Sequence, residues 1–270
     1  MTTRGDDSRG QRRAQPIGGQ FGEMTVALQY LFQSWGTRGN DKYRDLLMDT
    51  GTQELGHIEM LATMVARLLE GAPVYEQEKA AKDPVVGAIM GGMNPQHAIV
   101  HGLGASPKDS NGVPWNSGYI IASGNLLADF RANVNAESQG RLQVARLYSM
   151  TDDRGVKDLF SFLIARDTMH QNQWLAAIKE LEMDGLGQTP VPMSFPQEQE
   201  KSEVAYQYWK CSDGNASQEG QWASGPSQDG KGEIEFLSKP QPLGERVDEL
   251  PPVDPRLHNT PKKPTPPVSS

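Results

Sequence analysis

The chain of 270 residues contains a single cysteine, Cys211. One thiol cannot close an intramolecular disulfide, and it is too few for thiolate-based zinc or iron–sulfur sites. It also has no resolving partner for a thiol-peroxidase cycle. Basic residues are in deficit, with 26 Lys and Arg against 34 Asp and Glu, which leaves a formal charge of −8. A dedicated nucleic-acid binder needs a basic face to neutralise phosphates, so that class is excluded. No run of 18 apolar residues occurs, so no segment reads as a membrane span. The opening stretch MTTRGDDSRGQRRAQP has arginines but no apolar run behind them, and Asp6 and Asp7 count against a transit peptide. The expected compartment is the cytoplasm.

What remains is enough for a core. Apolar residues make up 36% of the chain and charged residues 22%, both compatible with a globular domain. Residues 1–17 read as a flexible arm, 18–184 as a helical domain, 185–250 as a largely irregular C-terminal arm, and 251–270 as a disordered tail. Four helices are predicted: Gly19–Trp35, Asp41–Glu70, Ser117–Met150, and one that starts after Thr151–Asp153 and ends near Asp184. Asp152 or Asp153 is the expected cap of the fourth helix. Apolar residues recur at helical spacing, as in Leu47, Leu55, Ile58, Leu61, Val65 and Leu68 of the second helix. The first and second helices are joined by a short connection, as are the third and fourth, so each pair is an antiparallel hairpin. A long Gly- and Pro-rich crossover, 71–116, joins the hairpins. The fold class is therefore all-α, a ferritin-like four-helix bundle with an extended C-terminal arm. Phe195, Tyr206, Tyr208, Trp209, Trp222 and Phe236 are too many aromatics for a solvated linker, so the arm is expected to pack on the bundle or on a neighbouring subunit.

Several polar residues fall on the apolar stripes. Glu23 precedes Val26, Ala27 and Tyr30 by three, four and seven residues. Glu54 and His57 share a face of the second helix with Leu47 and Leu61. Glu137 lies one turn from Asn133 and one turn before Arg141, and Asp167 and His170 sit between Leu163 and Trp174. Each helix thus turns one carboxylate inward, and two helices add a histidine three residues later. An unpaired buried carboxylate costs several kcal/mol. Four of them carry about −4 in charge, and two divalent cations balance that sum. Dimetal carboxylate bundles use a lone Glu from two helices and Glu-x-x-His from the other two. Glu54-Leu-Gly-His57 matches in full, whereas Asp167-Thr-Met-His170 places the shorter Asp where Glu is usual. Carboxylate oxygens with two imidazoles suit manganese or iron.

The segments GGQFGEMTVALQYLFQSW, RDLLMDTGTQELGHIEML, ANVNAESQGRLQVARLYSM and FLIARDTMHQNQW resemble the manganese catalases, and WASGPSQDGKGE in the arm extends the likeness. The resemblance implies two manganese ions per subunit, cycling between Mn(II)/Mn(II) and Mn(III)/Mn(III) while hydrogen peroxide is disproportionated to water and dioxygen. It implies that Glu23 and His57 cap one ion, His170 caps the other, and Glu54 and Glu137 bridge them. Asp167 would relay protons, and Tyr30 would orient a bridging carboxylate. Some members carry Glu at the position of Asp167, and Arg where this chain has Ala136. The resemblance further implies a homohexamer active in oxidative stress, and in some members a calcium ion between subunits. Asp45, Asp49, Ser212 and Gly214 match calcium-ligand positions, but Lys210 stands where an asparagine ligand is expected, and its ammonium competes with the cation. The rival readings are a diiron ferroxidase or storage bundle, and a structural spore-coat-like relative without metal. His97 and His101, spaced i, i+4 in the crossover, read as loop or interface residues.

Overall fold

A computed structural model describes residues 15–38, 40–69, 104–186 and 199–240, which fall in two compact units, Met1–Phe195 and Pro196–Ser270. The crossover histidines His97 and His101 lie outside the described residues. The first unit contains a helical turn α1 (Gln15–Gly18) and the helices α2 (Glu23–Gly36), α3 (Asp41–Leu69), α4 (Leu126–Ser149) and α5 (Arg154–Met183). Helices α2 and α3 pack as one hairpin and α4 and α5 as the other, with α2 meeting α4 and α3 meeting α5. This is the expected ferritin-like bundle.

Three boundaries differ from the sequence reading, each for a local reason. Pro16, Ile17 and Gly18 are buried in α1, so the end of the expected arm joins the core. The chain folds back there so closely that a Cβ on Gly22 would sit 2.6 Å from the Pro16 carbonyl oxygen. Helix α2 therefore starts at Glu23 and not at Gly19. Helix α4 starts at Leu126 and not at Ser117. Residues 117–119 form a single 3-10 turn, and buried glutamines on α2 hold the next residues extended. Gly124, with φ +80°, then leads into the Asn125 cap, whose side chain accepts from the Ala128 N–H. Helix α5 is capped by Asp153, which accepts from the Val156 N–H at 3.0 Å. Leu55 is exposed although the sequence placed it inside. The inner stripe of α3 runs through Leu47, Thr50, Glu54, His57 and Leu61, and Leu55 lies one residue, about 100°, off it.

The apolar core forms two clusters. One joins Val26, Tyr30, Tyr43, Leu47, Phe130, Trp174 and Leu181. The other joins Ile17, Leu61, Val65, Val144, Phe160 and Leu163. Along α3 the first cluster ends at Leu47 and the second begins at Leu61, and along α5 the corresponding gap runs from Leu163 to Trp174. Glu54, His57, Asp167 and His170 occupy those gaps.

The second unit has a short helix α6 (Ser202–Ala205) and three strands, β1 (Gln207–Trp209), β2 (Gly225–Pro226) and β3 (Glu233–Leu237), in the order β1-β3-β2. Strand β3 pairs parallel with β1 and antiparallel with β2. The Tyr208 and Phe236 rings pack edge-on at 5.4 Å. Short strands in a mostly irregular segment agree with the sequence reading. No helix of the described residues is long and apolar enough to cross a membrane.

Candidate metal centre

The bundle brings the six inward residues together. Glu23, Glu54, His57 and Asp167 form one buried quartet, and Glu54, Glu137, Asp167 and His170 form another. Within each quartet the ligand atoms lie within 4.8 Å of one another. Glu54 divides its two oxygens between the quartets. Its Oε2 lies 2.6 Å from His57 Nδ1 and its Oε1 lies 2.6 Å from His170 Nδ1. Glu23 Oε2 approaches His57 Nδ1 at 3.7 Å, and Glu137 Oε1 approaches His170 Nδ1 at 3.8 Å. The two imidazoles stack with centroids 5.7 Å apart. Asp167 belongs to both quartets, whereas Glu137 belongs to one.

These short contacts are not hydrogen bonds. Both Glu54 oxygens, both Nδ1 atoms and Asp167 Oδ1 are buried without a hydrogen-bond partner. Nitrogen and oxygen are close, but the pairs do not meet hydrogen-bond geometry. Lone pairs that converge on a point instead of on each other are what a cation requires, and buried polar groups left unpaired otherwise carry a penalty of about 1–3 kcal/mol each. The donors are carboxylate oxygens and imidazole nitrogens with no thiolate, which fits manganese.

The same crowding shows in the protonation of the bare protein. Burial, then the charge of Glu54, pushes Glu23 and Glu137 well above the usual carboxylate range. Burial and Glu54 raise Asp167 to about 7, against the opposing pull of His57, Arg141 and Arg166. Burial also acts to raise Glu54, but the contacts with His170 and His57 outweigh it and hold the group at about 2. Burial lowers His57, yet Glu23 and Glu54 win and lift it to about 10. Four carboxyl groups in one apolar gap cannot all ionise unaided. A bound dication would displace these protons.

Tyr30 donates to Glu137 Oε1 at 2.6 Å. Burial, with the charges of Glu137 and Glu54, drives its phenol far above 10, so it remains a donor. The sequence reading singled out Tyr30 and noted Asn133 and Arg141, but missed the glutamines that bond to them. On one side, Gln29 and Gln33 donate to Asn133 Oδ1 at 2.8 and 3.0 Å, and Asn133 donates back to Gln33 at 2.7 Å. On the other, Arg141 donates to Gln171, which donates to Ser138. The i, i+4 spacing of Gln29 and Gln33 on an apolar stripe was the available signal for the first group. Arg141 and Gln171 each lie one turn or less from a centre residue but on no stripe.

Of the residues that match calcium-ligand positions, Asp45 and Asp49 lie on α3, and Ser212 and Gly214 lie in the second unit. Asp45 is exposed and accepts from its neighbour Arg44 at 3.2 Å, and Asp49 is exposed. Neither belongs to a metal-ready group among the described residues. Ser212 and Gly214 are exposed in the second unit, where Lys210 Nζ donates to Asn215 Oδ1 at 2.5 Å.

Two convergent quartets that share a divided carboxylate, set in an antiparallel four-helix bundle, define a carboxylate-bridged dimetal protein. Comparison with known proteins narrows this. The family model for the manganese containing catalases matches residues 11–269. A manganese catalase of Bacillus subtilis (strain 168) is 63% identical over 245 residues, covering 90% of this chain and 88% of that one. A manganese catalase of Lactiplantibacillus plantarum is 45% identical, covering 95% and 93%. Among solved structures, KatB, a manganese catalase from Anabaena PCC7120, aligns over 89% of this chain and 94% of its own with a TM-score of 0.67. At 24% identity it speaks for the fold alone. The chain belongs to the manganese catalase family, whose dimanganese centre disproportionates hydrogen peroxide.

Proposed function

We propose that this chain disproportionates hydrogen peroxide at the two quartets, with Glu23, Glu54, His57, Glu137 and His170 as the manganese ligands. The observation that carries the proposal is Glu54, whose two oxygens face different histidines at the same 2.6 Å with neither pair hydrogen-bonded. A carboxylate so divided suits one ion on each side. Glu23 and His57 would then hold one ion and His170 the other, with Glu137 reaching both as family resemblance implies.

Two manganese ions held there supply the two-electron change between Mn(II)/Mn(II) and Mn(III)/Mn(III). The protein's own groups handle orientation and protons. Oxidation of one peroxide to dioxygen releases two protons and two electrons, and reduction of the next to two waters consumes them. Asp167, which lies in both quartets, would take one of those protons and return it, while the other passes to solvent and back. Tyr30 keeps Glu137 turned toward the centre through its 2.6 Å hydrogen bond. The two apolar clusters on either side keep bulk water from the reacting groups.

A homohexamer acting in oxidative stress is what family resemblance implies, and the cytoplasm is the proposed compartment. The exposed Phe32–Trp35 pair and the exposed Leu55, Phe162 and Met169 supply apolar surface for subunit contacts, and light scattering would test the count. The C-terminal arm, with exposed Trp209 and Trp222, is the segment proposed to reach the bundle or a neighbour. Asp45, Asp49, Ser212 and Gly214 would hold calcium only if Lys210 leaves room, so elemental analysis is expected to find manganese without calcium.

The deciding experiment pairs elemental analysis with dioxygen release from peroxide in the absence of any electron donor. Two manganese ions per chain and steady gas evolution are expected. Manganese-loaded protein that evolves no gas would end this reading.

A further inference from the structure

Outside the five ligands, one contact fixes the chemistry of a ligand. His170 directs Nδ1 into the centre, 2.6 Å from Glu54 Oε1, where it is buried without a hydrogen-bond partner. Its other nitrogen, Nε2, lies 3.3 Å from Gln53 Oε1. The same Gln53 oxygen accepts from Arg166 Nη2 at 2.7 Å. Gln53 is exposed on α3, one residue before Glu54, and Arg166 is half-buried on α5, one residue before Asp167.

A guanidinium has donors and no acceptor. The amide atom that faces Arg166 must therefore be the oxygen, whichever way a glutamine would otherwise turn. That oxygen is also the atom facing His170 Nε2, and an oxygen without a proton can only accept. Nε2 must then carry the hydrogen, which leaves the lone pair of a neutral ring on Nδ1, the nitrogen that points into the centre. The logic runs in one direction, from Arg166 through Gln53 to His170, and ends on the atom that a metal would use.

We infer that Gln53, itself oriented by Arg166, is the positioning residue that sets the tautomer and ring angle of His170 and so tunes one of the two metal positions. The inference rests on the functional reading above, because it assumes that His170 is a ligand. It applies to the position that His170 would hold, since that is the ring Gln53 touches.

The test uses the full chain, stripped of metal and titrated with Mn(II), with stoichiometry measured after desalting and affinity measured against a competing chelator. The wild type is expected to hold two ions. Gln53→Leu removes the acceptor at an exposed site, so the affinity of one ion should fall about 10–100-fold while the other is unchanged. Gln53→Glu restores an acceptor oxygen beside Arg166 and should hold both ions. Arg166→Ala should weaken the same single ion by less than Gln53→Leu does. Thermal melting of the metal-free variants should match that of the wild type, which separates this role from a merely structural one. If Gln53→Leu binds both ions as the wild type does, or weakens both together with a lower melting temperature, the assignment to Gln53 is wrong and the functional reading stands. A wild type that holds no manganese overturns the functional reading and this inference together.

Discussion

Two groups of buried polar side chains lie in the same bundle, one on α2 and α4 and the other on α3 and α5, and they behave in opposite ways. Gln29, Gln33 and Asn133 are fully enclosed, yet they bond to one another and to the backbone of Ile121. Glu54, His57, Asp167 and His170 are equally enclosed, yet each leaves an inward atom without a hydrogen-bond partner. The first group is closed. Its amides serve as both donor and acceptor, so the set can complete itself, and it pins the extended segment before α4 onto α2. The second does not complete itself, because its carboxyl and imidazole atoms converge on shared points without the alignment that hydrogen bonds need. Burial of polar residues alone therefore does not mark a functional site. Convergent, unsatisfied atoms do.

The comparison breaks most completely at Glu54. Glu54→Ala removes the carboxylate that faces both histidines at 2.6 Å, so both manganese ions and all dioxygen evolution above background should be lost, as elemental analysis and gas measurement would show. Asp167→Asn should keep the metal and lose the proton carrier. A fall in kcat of about 10²–10⁴-fold with manganese content unchanged is expected. Tyr30→Phe deletes one hydrogen bond to Glu137 without opening the core, and an activity loss on the order of 10-fold with both ions retained should follow. The contrasting result comes from the closed group. Asn133→Ala strands two buried glutamine amides and should cost about 1–3 kcal/mol in thermal or denaturant unfolding, while metal content stays at two. Loss of manganese in Asn133→Ala would erase the distinction between the two groups.

Much of this site was legible in the sequence because its residues break a pattern. A glutamate or histidine on an apolar helical stripe contradicts the burial rule at that position, and Glu23, Glu54, His57, Glu137, Asp167 and His170 each did so. The helices were legible for the same reason, since their apolar period is long and regular. Features that depend on distant partners were not. The start of α4 moved from Ser117 to Leu126 because Gln29 and Gln33, about 90 residues upstream, hold residue 121 extended. Leu55 looked like core because its residue type fits, but its angular position on α3 does not. Gln53 gave no signal whatever. It is an exposed polar residue in an exposed position, and only the arrangement of Arg166 and His170 around one oxygen distinguishes it.

The division of the apolar interior into two clusters on either side of the centre compartmentalises damage. A cavity cut at Phe160 or Leu163 opens a packing neighbourhood that shares no member with that of Phe130 and Trp174. Lesions in opposite halves should therefore sum, and paired lesions within one half should not. The polar belt between them, a burden in the bare chain, thus also serves as a bulkhead.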